Sequence, residues 1–186
     1  VLKELPDLSP GEKEVVIQVT ACSLNFPDTL IIQGKYQYKP ALPFTPGSDI
    51  AGVVCAVGSK VKHLKEGQGV FGFVANGGFA EEVIAPAKNV FPKPPKMDFA
   101  TAASFLMAYG TSYHALKNRA KLKEGETLVV LGASGGVGLA AVELGKQMGA
   151  RVIACASTQE KIDLCKSYGA DEGINYSTED LKERIK

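Results

Sequence analysis

The segment Thr127-Leu-Val-Val-Leu-Gly-Ala-Ser-Gly-Gly-Val-Gly138 runs an apolar, β-branched stretch of strand length into a tight cluster of glycines. Leu139-Ala-Ala-Val-Glu-Leu-Gly-Lys-Gln-Met-Gly149 then continues as a proline-free helical pattern. A strand, a glycine turn and a helix in that order are the setting in which a glycine fingerprint binds a dinucleotide. Here the fingerprint is Ala133-x-Gly135-x-x-Gly138, the G-x-G-x-x-G pattern with alanine in first place. Gly135 lets the backbone approach a pyrophosphate, and Gly138 lets helix and strand pack closely. Ala133, Ser134, Gly135, Gly136, Val137 and Gly138 are therefore the candidate cofactor turn, with the diphosphate on free N–H groups at the positive end of the helix. The competing reading is an ordinary strand-to-helix turn that binds nothing.

Which nicotinamide cofactor fits is set at the end of the next strand. An Asp or Glu there binds the ribose 2′-hydroxyl of NAD. Cys155-Ala-Ser-Thr158 carries no such acid. Ser157 can donate a hydrogen bond to a 2′-phosphate, and Lys161, one helical turn onward, can supply a point charge. These residues favour NADPH, with Glu160 the one discordant neighbour.

The elements that must position these groups fall into two unlike regions. Residues 1–116 read as β-rich. Strand patterns lie at Glu14–Ala21, Asp49–Val57, Gly69–Val74, Phe79–Ile84 and Asn89–Phe91, separated by turns such as Phe44-Thr-Pro-Gly47 and Asn76-Gly-Gly78. Their spacing predicts a small closed or partly closed β-barrel, after which Met97–Leu116 turns helical. Residues 117–186 alternate: strands at Thr127–Leu131, Arg151–Ala156 and Asp171–Asn175, helices at Gly136–Met148, Thr158–Ser167 and from Thr178 onward. That is βαβαβα, one half of a doubly wound sheet. A full dinucleotide site needs two halves, so we expect a piece of a longer enzyme that holds the adenosine side of the site.

Composition narrows the class. The chain has 186 residues, 45% hydrophobic and 22% charged, with a net charge of +1. A charge this close to zero argues against nucleic acid or an anionic membrane as the main partner, and no segment has the length of a membrane-spanning helix. The four cysteines are scattered without a C-x-x-C pair, so free thiols are expected, with Cys55 and Cys155 as small core residues. The expected compartment is the cytoplasm, or the mitochondrial matrix should a targeting segment have been removed.

Four stretches in fixed order, Ala21-Cys-Ser-Leu-Asn-Phe-Pro-Asp28, Pro46-Gly-Ser-Asp-Ile-Ala-Gly-Val54, Tyr109-Gly-Thr-Ser-Tyr113 and Gly169-Ala-Asp171, resemble the medium-chain dehydrogenase/reductase superfamily, specifically its zinc-free quinone oxidoreductase branch. The resemblance implies a GroES-like catalytic barrel over residues 1–116, incomplete at both ends, and the first half of a Rossmann NADP(H)-binding domain over 117–186. It also implies roles. Asn25 and Asp28 stand in the strand-to-helix motif that lines the cleft, with Asn25 a hydrogen-bond donor near the nicotinamide or acceptor oxygen. Asp28 has the alternative of a helix cap or buried polar anchor. Tyr36 matches a tyrosine resembling the proton donor of enoyl-thioester reductases, its alternative being a half-buried aromatic. Thr111 matches the threonine that contacts the nicotinamide ring, and Tyr176 one near the adenosine phosphate. The resemblance also implies that the parent protein is a homodimer.

In the zinc-dependent members a cysteine occupies the place of Asn25 and a His-Glu pair that of Ser48-Asp49. Zn²⁺ favours thiolate and imidazole, so asparagine and serine there imply no zinc. His63 and His114 lie elsewhere and are expected to pack or face solvent. Without a Lewis acid the acceptor must delocalise the charge that hydride addition creates, which a quinone or an α,β-unsaturated carbonyl does. An enoyl thioester is the alternative acceptor. A non-catalytic, crystallin-like or RNA-binding role is the alternative of another class.

Overall fold

The computed structural model describes residues 3–4 and 6–186. It divides into two compact units, Val1–Met107 and Ala108–Lys186, nine residues earlier than the boundary expected at 116/117. In the first unit, β1 (Glu14–Ser23), β2 (Asp49–Val57), β3 (Gly69–Phe73), β4 (Glu82–Pro86) and β5 (Val90–Pro92) form one antiparallel sheet in the order β4-β1-β2-β3-β5. A 3₁₀ turn at Ala87–Asn89 joins β4 to β5, the two strands at the ends of that order. The sheet wraps around one interior: Val15, Ile17, Ile50, Val54, Val70, Val83, Ala85 and Val90, from all five strands, share a single buried cluster. Alternation along each strand sends these side chains inward, and the result is a partly closed barrel, as the strand spacing implies.

The β2 and β3 boundaries follow the sequence pattern closely. Phe79–Ile84 is corrected to Glu82–Pro86, because Gly77, at φ +103°, and Gly78 hold the chain in a turn against Thr45 and Gly47. Helix α1 (Phe26–Ile31) starts directly after β1. Beyond β5, α2 (Phe99–Ala103) is capped by Asp98, whose carboxylate accepts the Thr101 N–H at 2.8 Å. Its apolar face, with Ala102 and Ala103, packs on Ala51 and Phe71. Cys155 is buried as expected, whereas Cys55 is exposed on β2: its alternate position in the strand points outward from the barrel.

In the second unit, α3 (Thr111–Tyr113) is a single α-turn between π-helical turns at Leu106–Gly110 and His114–Ala120. Then β6 (Thr127–Leu131), α4 (Gly136–Gln147), β7 (Arg151–Ala156), α5 (Gln159–Ser167), β8 (Glu172–Asn175) and α6 (Leu181–Arg184) follow. The strands pair in parallel, in the order β6-β7-β8. Right-handed crossovers demand long connections between such strands, and α4 and α5 supply them. The last helix begins later than the expected start at Thr178, because the Asn175 side chain holds a turn by accepting the Ser177 N–H and Asp180 caps the helix that follows. Among the described residues no helix is long and apolar enough to cross a membrane.

Gly52 shows how tightly the barrel is closed. It faces the β1 irregularity between Val19 and Ala21, and a Cβ there would lie 1.9 Å from the Gln18 carbonyl oxygen. Backbone cannot yield as a side chain does, so Gly52→Ala is expected to cost about 3 kcal/mol or more of unfolding free energy. Urea denaturation against the parent protein measures it.

Candidate active site and cofactor turn

Two constellations carry the candidate residues, one in each unit. In the first unit the end of β1, the start of α1 and the start of β2 bring polar groups under cover. Asp28 is 2% exposed, Ser48 5% and Asp49 0%. The Asp28 Oδ2 accepts the Asn25 backbone N–H at 2.8 Å, so Asp28 is both the N3 partner of a capping box and a buried polar anchor. Its Oδ1 lies 3.5 Å from the Ser48 hydroxyl, which donates to it. The Asn25 side-chain amide donates to Ser23 Oγ at 2.8 Å. An amide has two N–H groups, so Ser23 fixes the orientation of Asn25 while one donor stays available. Tyr36 is half-buried in the bend after Gly34.

Asp49 is the residue whose importance the sequence pattern understated. Its Oδ2 accepts the Met107 N–H at 2.9 Å, and its buried Oδ1 has no hydrogen-bond partner among the described residues. Burial, with the negative field of Asp28 added, pushes its carboxyl up to about 6 against the stabilising pull of the Met107 N–H. An acidic residue opening an otherwise apolar strand, Asp49-Ile-Ala-Gly-Val-Val, is the signal that marks it. Nearby Cys22 is wedged so that a Cβ at Gly47 or Gly78 would lie within 2.9 Å of its sulfur. Burial, then Asp28 and Asp49, drive that thiol up to about 12, so it is protonated at neutral pH and a poor nucleophile.

Zn²⁺ does not fit this donor set. Asn25 offers an amide tied to Ser23 and Ser48 a hydroxyl turned toward Asp28. Neither is a strong zinc ligand. The His63 Nε2 sits 3.0 Å from the Ala87 carbonyl oxygen, a packing role, and His114 faces solvent.

In the second unit the glycine turn has the expected build. Gly132, at φ +62°, ends β6, and its carbonyl accepts the Gly135 N–H at 3.0 Å. Ala133 is fully buried, with its N–H on the Cys155 carbonyl at 3.1 Å. A Cβ at Gly138 would lie 2.4 Å from the Gly132 oxygen and 2.8 Å from the Ala133 Cα. That glycine is required by packing alone. At Gly136 a Cβ would meet nothing within 4 Å, so packing does not explain the glycine there. Gly135 is the N-cap of the twelve-residue α4 and has no side chain with which to satisfy the first-turn N–H groups. The first turn carries no acid. A bare, electropositive helix end with open backbone is a cradle suited to a diphosphate.

Beyond β7, Thr158 caps α5, and the Lys161 Nζ donates to Ser157 Oγ at 3.2 Å. Ser177 Oγ donates to the Ser157 carbonyl at 2.9 Å, and the Tyr176 N–H to Ala156 at 3.2 Å. The structure thus gathers Ser157, Lys161 and the Tyr176 backbone at the C-terminal ends of β7 and β8. Thr111 is exposed beside buried Ser112.

Comparison with known proteins follows this division. Residues 11–95 match the alcohol dehydrogenase GroES-like domain, and residues 136–186 the family described as zinc-binding dehydrogenase. The chain belongs to the medium-chain dehydrogenase/reductase superfamily, in its quinone oxidoreductase branch. It is 42% identical over 178 residues to a quinone oxidoreductase-like protein 2 homolog of Nematostella vectensis, covering 95% of this chain and 48% of that protein. Among solved structures, the Escherichia coli quinone oxidoreductase complexed with NADPH superposes with a TM-score of 0.93 at 34% identity, covering 98% of this chain and 56% of that one. The CurK enoyl reductase does so with a TM-score of 0.90 at 30% identity, covering 98% and 57%. The chain spans about half the length of the relatives it matches.

The Asp49 carboxyl has a direct thermodynamic consequence. An acid whose pKa is higher folded than unfolded binds its proton more tightly in the native state, so stability falls as pH rises from the ordinary value near 3.8 to about 6, then levels off. The full swing is on the order of 3 kcal/mol. Asp49→Asn keeps an acceptor for Met107 and is expected to flatten the stability profile between pH 4 and 6, as measured by denaturant melts across that range.

Proposed function

We propose that the parent protein of this chain is an NADPH-dependent, zinc-independent oxidoreductase acting on quinones or other α,β-unsaturated carbonyls. The observation that carries the cofactor reading is the pairing of Lys161 with Ser157 at the end of β7, where the sequence holds no carboxylate. A 2′-phosphate placed there meets an ammonium and a hydroxyl; the ribose 2′-hydroxyl of NADH finds no acidic acceptor. Gly135, Gly136 and the first-turn N–H groups of α4 would hold the diphosphate, with Gly138 keeping α4 against β6. Tyr176, 45% exposed at the end of β8, would flank the adenosine phosphate.

When bound, NADPH supplies a hydride. What the chain's own residues add is charge stabilisation and order. The available N–H of Asn25 would donate to the acceptor oxygen as negative charge develops there, an effect that a fixed donor supplies without reorganisation. Ser23 and Asp28 hold that donor in place. Thr111 would contact the nicotinamide. With amide and hydroxyl groups where zinc-dependent relatives keep cysteine and histidine, the acceptor has to spread its own charge, which favours quinones and enones over simple ketones.

The likeness to an enoyl reductase supports a second reading, in which the acceptor is an enoyl thioester and Tyr36 gives the proton. The two separate on one variant. Tyr36→Phe in the full-length protein is expected to leave quinone reduction within about threefold of the parent, whereas under the second reading enoyl-thioester turnover falls by about 10²-fold or more. For the cofactor, Lys161→Ala is expected to raise KM for NADPH by about tenfold and leave that for NADH unchanged. Steady-state kinetics with both nucleotides checks this, and equal losses with the two would remove the 2′-phosphate assignment.

A further inference from the structure

The second unit contains a connection that the cofactor turn does not need in order to fold. Ser112, 2% exposed, donates its hydroxyl to the Val137 carbonyl at 2.7 Å. Val137 lies in the first turn of α4, inside the glycine fingerprint. Three residues before Ser112, the Tyr109 hydroxyl donates to Glu143 Oε2 at 2.5 Å, further along the same helix. The hydrogen bond to Glu143, then burial and the Glu143 charge, push the Tyr109 hydroxyl up to about 12, so the tyrosine remains a donor at neutral pH.

Residues 109 and 112 are one helical turn apart and so share a face. Two bonds on one face fix both the rotation and the height of the turn against α4. The residues between them, Gly110 and Thr111, are exposed. Gly110 has ordinary right-handed helical angles, φ −62° and ψ −43°, and a Cβ there would meet nothing within 4 Å. Neither conformation nor packing calls for glycine at this place, and it costs about 1 kcal/mol of helix propensity relative to alanine. The π-helical turns on either side of Thr111–Tyr113 mark the same short stretch, as such turns often do at functional sites.

We propose that Tyr109 and Ser112 are positioning residues that clamp the Gly110–Thr111 turn onto the first turns of α4, so that one rigid unit holds both the diphosphate and the nicotinamide ring of the cofactor. The inference rests on the NADPH reading above. It assigns the bare backbone of Gly110 and the Thr111 side chain to the face of the ring, and the buried side of the same turn to registration against the diphosphate cradle. Hydride transfer is sensitive to placement on the ångström scale, where a misplacement of about 1 Å can cost about 10²-fold.

The test uses the full-length protein and compares the parent with Ser112→Ala, Tyr109→Phe and the double variant. Three quantities are read: affinity for 2′,5′-ADP, which probes the adenosine side alone, the single-turnover rate of NADPH oxidation by a quinone, and its isotope effect with NADPH deuterated at C4. The clamp predicts 2′,5′-ADP affinity within about threefold of the parent and a transfer rate lowered about 10- to 100-fold in the double variant, with the isotope effect increased. A transfer rate unchanged in the double variant overturns it. So does an ADP affinity that falls in step with the rate, since the two bonds would then merely support α4. Gly110→Ala adds an independent arm, because alanine is expected to preserve or raise Tm while lowering the transfer rate at least tenfold. An unaltered rate in Gly110→Ala would refute the assignment of that face. A parent protein that binds neither 2′,5′-ADP nor NADPH overturns the cofactor reading and the clamp together; a competent parent with indistinguishable variants overturns the clamp alone.

Discussion

The close approach of Gly138 to Gly132 and Ala133 is the constraint on which the cofactor end of this protein depends. Only a residue without Cβ lets the first turn of α4 sit against the carbonyl that ends β6. Once it does, the helix axis, its positive end and the first-turn N–H groups at Gly136 and Val137 are fixed relative to the parallel sheet. Everything assigned to that unit is measured from this turn. Ser112 bonds to a carbonyl within it, and Ala133 is pinned to Cys155 on the adjacent β7, whose C-terminal end carries Ser157 and presents Lys161.

A different economy governs the barrel. Around the start of α1 and of β2 this chain places an amide, a hydroxyl and buried carboxyls, and it holds the carboxyls with backbone N–H and hydroxyl donors. Asp28 is satisfied by the Asn25 N–H and approached by the Ser48 hydroxyl; Asp49 is held by a single N–H from Met107. A buried carboxyl with one unsatisfied oxygen is costly to ionise, which explains its raised pKa; the Cys22 thiol is raised first by its own burial and then by the charges of Asp28 and Asp49. The site is thus held together by hydrogen bonds to two buried carboxyls.

Much of this was legible before any coordinates. The strand and glycine-turn boundaries at Asp49–Val57, Thr127–Leu131 and Arg151–Ala156 coincide with the observed elements, because β-branched runs closed by glycine leave the backbone few alternatives. Short helices were less legible. The end of the chain was read as a helix from Thr178, but side-chain turns by Asn175 and Asp180 compete with helical bonding there. Cys55 was misplaced for a related reason: in a strand whose outward positions are also apolar, composition does not say which face is inside.

The sequence alone determined the types of group available: a glycine fingerprint, and Ser157 and Lys161 after a strand that ends without an acid. These follow from local pattern, since strand, turn and cap preferences act over a few residues. Only the tertiary structure showed which atoms Gly138 must clear and that Gly136 has no packing reason to be glycine, because both depend on atoms brought from the end of β6 and the following turn. It alone showed Asp49 cut off from water and Ser112 reaching Val137 across 25 positions of chain. Such facts are contacts between distant segments, and burial and hydrogen-bond partnership exist only once the chain has folded back on itself.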